Sequence, residues 1–264
     1  MQSLIAFIAA IPISLLGGLM GVGGAEYRLP VLVSILKLQA REAVAINLAV
    51  SLVTLIASLI VRLRVASDFP LLELLPILLS MIAGAMVAAF FGAGFASRIH
   101  VHTLERWIKT LLVSIGILLV VESFLPAISL NLMDGPLVIQ CLVAGVAGVL
   151  IGIVSSTLGV AGGELIIPTL ILIFGVGVKI AGTASVMISL PAVSIGLLRY
   201  YHTGRLFDWR AFKLIVSPMA LGSVIGAIAG GLLFGLVSST LLKLILGLVL
   251  IGSALQMFVR PKKE

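Results

Sequence analysis

The chain has 264 residues, 61% of them hydrophobic and 10% charged, with a mean hydropathy of +1.32 and a net charge of +7. That balance excludes a soluble globular domain. The basic residues stand singly at the ends of apolar segments, which excludes a nucleic-acid patch and makes them signals of membrane orientation.

From the N-terminus, the first apolar segment, Leu4 to Met20, has no basic leader before it and is expected to stay in the mature protein. It runs into "GVGGAEYRLP" (Gly21 to Pro30), where glycines, a carboxylate and a guanidinium interrupt the apolar run. A short segment, Glu26 to Leu36, follows, and then three spans at about Ala43 to Val61, Leu71 to Ala96 and Leu104 to Phe124. The pattern then repeats: Pro136 to Leu158, a second cluster "GVAGGELIIP" (Gly159 to Pro168), a short segment Glu164 to Phe174, and spans at Ile180 to Tyr200, Ala211 to Gly235 and Thr240 to Val259. The apolar residues run without strict alternation, so the spans are helices and not barrel strands. The single cysteine, Cys141, supports neither a disulfide nor a metal site, and no cofactor is called for.

Sliding the chain so that Gly21 falls on Gly159 also brings Glu26 onto Glu164, Pro30 onto Pro168, Asn47 onto Ser185 and Ser51 onto Ser189. The expected fold is therefore all-α and integral to the membrane. Two repeats, 1–130 and 131–264, each a broken-helix hairpin plus three transmembrane helices, form one transmembrane domain. The short segments cover only about half of a hydrocarbon layer roughly 30 Å thick, as the returning arm of a hairpin would. With hairpins the halves are inverted, and both termini are expected in the cytoplasm. Only Arg62, Arg64, Lys179 and Lys243 then remain on the outer face.

Broken segments at matched positions of inverted halves point to a transporter site at the midplane. Gly21, Gly23 and Gly24 in the first copy, and Gly159, Gly162 and Gly163 in the second, are the candidate anion cradle, since an interrupted helix in lipid exposes backbone donors that a ligand can satisfy. Arg28, Asn47, Thr183 and Ser185 are candidate substrate ligands. Three roles compete for Glu26 and Glu164: capping a short helix, pairing with Arg28, or carrying the coupled proton. Arg28 either completes the anion site or locks the halves together through Glu164. The neutral polar groups serve either an oxyanion or helix-to-helix hydrogen bonds. His100, His102 and His202 read as surface residues without metal spacing, and "RYYHTGRLFDWR" (Arg199 to Arg210) as an interface anchor.

The two glycine stretches, with "AGTASV" (Ala181 to Val186) and "HTGRLFDW" (His202 to Trp209), resemble the sulfite exporter TauE/SafE family over essentially the whole chain. The chain departs from that family's commonest glycine-rich pattern at Ala25, Glu26 and Glu164. The resemblance implies transport of small sulfur-containing anions, such as sulfite or organosulfonates, across the bacterial inner membrane. The reading is a secondary transporter, with no nucleotide-binding segment, set against a passive anion channel and an intramembrane enzyme. Expected partners are the small anion, membrane lipids, a proton and a second copy of the chain.

Overall fold

The computed structural model describes residues 2–65, 69–96, 130–158, 161–202 and 208–259, with scattered helical positions between Thr110 and Val121. No strand occurs among them. The helices are α1 (Gln2–Met20), α2 (Ala25–Pro30), α3 (Ala40–Val65), α4 (Leu71–Ala96), α5 (Leu137–Leu158), α6 (Gly163–Leu172), α7 (Val178–His202), α8 (Trp209–Leu236) and α9 (Ser239–Val259). Six of them, α1, α3, α4, α5, α7 and α8, are long and apolar enough to cross a bilayer. The protein is thus an all-helical, multi-pass membrane protein. The span expected over 104–124 lies outside the described residues except at those scattered positions, as do His100, His102 and most of the "HTGRLFDW" loop. His202 ends α7, exposed, and Cys141 is half-buried on α5.

Each apolar segment folds as a helix because a chain in lipid must satisfy its peptide groups within itself. The interruptions fall where glycine allows what other residues resist. Gly21, Gly23 and Gly24 all carry positive φ between α1 and α2. Gly162, at φ 77°, caps the start of α6. The arms double back: a Cβ built on Gly17 would lie 2.9 Å from the Gly24 nitrogen, and one on Gly162 only 3.0 Å from Ile151 of α5. α2 continues into a π-helical turn, Val31–Ile35, immediately after Pro30, and a second π turn, Phe212–Val216, lies two residues before Pro218 in α8. The i→i+5 pattern widens the helix at both places.

Helices that correspond in the sequence repeat exchange partners. α1 packs on α8, and α4 packs on α5. Both seams are parallel and run through glycine: Gly222 meets Phe7 and Ala10, Gly226 meets Ile11 and Leu15, and Gly230 meets Leu15 and Leu19. In the other seam Gly148 meets Met81 and Gly152 meets Ala85 and Ala88. Small residues let backbones approach where lipid offers no hydrophobic drive to bring helices together. The corresponding helices α3 and α7 touch each other directly and run antiparallel, with Arg62 near the end of α3 at Thr183 near the start of α7, and Leu48 near the start of α3 at Gly196. Leu72, Leu79, Val138, Leu142, Val146, Leu150, Leu221 and Leu232 point outward, an apolar belt suited to lipid rather than water.

Candidate functional site

The two hairpin tips meet. A Cβ built on Gly163 would lie 2.9 Å from Val22 Cα, and one on Gly23 only 3.7 Å from Ala161 Cβ. A Cβ on Gly21 would collide with the Gly182 carbonyl of α7, so this tip is pressed directly against the backbone of the other half. Gly21, Gly23, Gly24, Gly162 and Gly163 are all buried at this crossing, whereas Gly159 lies outside the described residues. The crossing is closely packed. An apolar crevice lined by Leu19, Met20, Val178, Phe234, Leu242 and Leu246 lies beside the end of α1.

Arg28 is fully buried on α2, and its guanidinium makes five hydrogen bonds, all to neutral oxygens. It donates to Asn47 Oδ1 (3.3 Å), Ser51 Oγ (2.9 Å), Thr54 Oγ1 (3.1 Å), Ser14 Oγ (3.3 Å) and the Gly23 carbonyl (3.3 Å). Asn47, Ser51 and Thr54 recur at helical spacing and so face the hairpin from one side of α3. Asn47 also donates through Nδ2 to the Ala25 carbonyl at 3.1 Å, tying α3 to the first turn of α2. The expected lock from Arg28 to Glu164 is not formed: Arg28 spends its donors within its own half. A positive charge removed from water is stabilised by such hydrogen bonds, made here by both terminal nitrogens, while Nε has no partner.

The carboxylates sit in the first turns of α2 and α6, both buried. Neither oxygen of Glu26 has a hydrogen-bond partner. On the second half's α7, Thr183, Ser185 and Ser189 are fully buried. Thr183 accepts from Arg62 and donates to the Lys179 carbonyl, while the hydroxyls of Ser185 and Ser189 have no partner. Leaving a buried hydroxyl or carboxylate unpaired costs on the order of 1–3 kcal/mol, more for the charge. Unpaired buried groups are uncommon in folded proteins, and these stand out for that reason.

The model of the sulfite exporter TauE/SafE family matches residues 2–119 and 143–264. The chain belongs to that family. No curated protein and no solved structure matches it. As a TauE/SafE protein it is a membrane transporter and not an enzyme.

In this TauE/SafE protein Arg62, expected among the outer-face charges, is fully buried near the end of α3. Its Nε donates to the Gly18 carbonyl at 3.0 Å and its Nη2 to the Leu19 carbonyl at 2.8 Å, while Nη1 reaches Thr183 Oγ1 at 3.3 Å. Its guanidinium carbon stands 4.1 Å from the Phe234 ring centroid of α8. Gly18 and Leu19 belong to the last turn of α1, whose carbonyls have no next turn to bond. A cation there satisfies the acceptors and complements the negative end of the helix dipole. An arginine a few residues before the end of a span looks the same in sequence whether it caps a neighbour or anchors the membrane surface. Ser14 and Thr54 were also not singled out, although Thr54 is legible as the next member of the Asn47 and Ser51 face.

Proposed function

We propose that the protein is a secondary transporter of a small sulfur-containing anion, an oxyanion or organosulfonate, in the bacterial inner membrane. The observation that carries this reading is the meeting of two interrupted helices at a crossing rich in buried polar groups, several of them unpaired. Interrupted helices are tolerated at bilayer depth where they line a binding site. In this reading the glycine tips, with Arg28, Asn47, Thr183 and Ser185 around them, form the anion's surroundings, and Glu26 and Glu164 carry the coupled proton. Residues 1–130 and 131–264 are two inverted repeats with both termini in the cytoplasm. The antiparallel run of α3 against α7 supports the inversion, because corresponding helices of parallel repeats would run the same way.

Reconstitution of the full chain into proteoliposomes with an imposed proton gradient tests the proposal. Gradient-driven accumulation of sulfite or a short alkylsulfonate supports it. Flux that only dissipates an anion gradient makes the protein a channel. Glu26→Gln and Glu164→Gln are expected to flatten the pH dependence of uptake while leaving folded yield unchanged. An unaltered pH profile in both variants removes the proton role. Labelling of single cysteines placed at either end, in intact cells and in inverted vesicles, tests the assignment of the termini.

A further inference from the structure

The two hairpins have corresponding surroundings that differ in charge at one place. In the repeat register Ala25 corresponds to Gly163, Asn47 to Ser185, Ser51 to Ser189, Gly23 to Ala161 and Arg28 to Ile166. The correspondence holds in space as well as in sequence: Asn47 bonds the Ala25 carbonyl, and a Cβ built on Gly163 would lie 3.1 Å from Ser185 Oγ. In the first half a positive group, the Arg28 guanidinium, fills the space between hairpin and α3, taking up Asn47 Oδ1, Ser51 Oγ and the Gly23 carbonyl. In the second half Ile166 delivers no such group. There Ser185 and Ser189, one turn apart on α7, are fully buried with partnerless hydroxyl oxygens.

Resting on the transport reading above, we infer that an exchangeable monovalent cation of sodium's size occupies in the second half the place that the tethered guanidinium occupies in the first. The Ser185 and Ser189 hydroxyls hold it, with the unwound carbonyl of Ala161 on the hairpin side. The acceptor roles of the first-half counterparts are what select a cation: all three present lone pairs to a positive charge. Neutral hydroxyls and carbonyls suit a monovalent ion, whereas calcium or magnesium sites draw on carboxylates and ordered water. Interrupted helices of transporters coordinate their coupling ions through such unwound carbonyls. Ser185 then serves the coupling ion and leaves the anion to the glycine tips.

The test uses the full chain in detergent, its thermal unfolding midpoint measured against sodium chloride with potassium and choline chlorides as matched controls. A saturable, sodium-selective rise is expected, because an ion that binds the folded state stabilises it by mass action. Ser185→Ala/Ser189→Ala together should raise the half-saturating sodium concentration at least about tenfold, the scale on which metal sites lose affinity with their supporting groups. Ile166→Arg, which installs the first half's tethered cation, should give a protein whose midpoint is high without sodium and indifferent to it. If Ile166→Arg does not fold, the serine double variant carries the test. A midpoint equal in the three salts, or a sodium response unchanged in the serine variant, overturns the inference. In proteoliposomes, accumulation driven by a proton gradient and unaffected by sodium overturns the cation site and leaves transport standing. Absence of accumulation under either gradient overturns the transport reading itself.

Discussion

The first hairpin carries buried arginines at places where the second carries none. In the first, two fully buried arginines work on either side of the break: Arg28 gathers side-chain and backbone oxygens around α2, and Arg62 closes the carbonyl end of α1. At the corresponding places the second half carries Ile166 and Tyr200. Duplication supplied one backbone design twice, and the arginines answer the hydroxyls and carbonyls around one copy, where both Glu26 oxygens nevertheless stay unpaired.

The comparison breaks most sharply at Arg28. Arg28→Met removes the cation and leaves five neutral acceptors without their donor, each buried acceptor left unpaired costing about 1–3 kcal/mol. The expected outcome is loss of monodisperse protein on size-exclusion chromatography, whereas Ile166→Met at the matched position should leave the elution unchanged. Arg62→Gln is next, losing its charge against the α1 carbonyls and its contact with Phe234. A loss of about 2 kcal/mol is expected from the charged hydrogen bonds alone, read as a lowered thermal midpoint. Gly163→Ala should have a smaller effect on stability than on uptake, since its Cβ must push Val22 aside at the meeting of the tips. A lowered midpoint with normal uptake would show that transport does not need the close approach of the tips. Ser58→Ala is the smallest. Ser58 is a buried, unpartnered hydroxyl on α3 whose counterpart is Gly196, so its loss should be neutral or stabilising by up to about 1 kcal/mol and insensitive to sodium.

Much of this architecture is legible in the chain. The glycines of the two clusters, followed each time by Glu and later Pro, locate the breaks, because few other residues accept positive φ where the arms turn back. The lengths of Glu26 to Leu36 and Glu164 to Phe174 announce half-spans, and the helices found there, Ala25 to Pro30 with its π turn and Gly163 to Leu172, begin within a residue of expectation. What escaped was partnership. Arg28 looked as ready for Glu164 as for Asn47, since sequence gives proximity along a helix but not which helix lies opposite. The burial of Arg62 is not legible because its partners, the Gly18 and Leu19 carbonyls, belong to the backbone and carry no side-chain signature. The distinction between Asn47, already engaged, and Ser185, unengaged, depends on a guanidinium that the repeat alignment shows to be missing but whose reach only coordinates measure.

The glycine seam between α1 and α8 also has a consequence for biogenesis. α1 leaves the ribosome before α8 and finds its backbone-to-backbone partner only when Gly222, Gly226 and Gly230 have been made. Until then its small-residue face has only lipid or a membrane chaperone to lie against. A product truncated before α8 would therefore carry an unmated first helix, giving quality-control proteases a lasting mark by which to tell unfinished chains from complete ones.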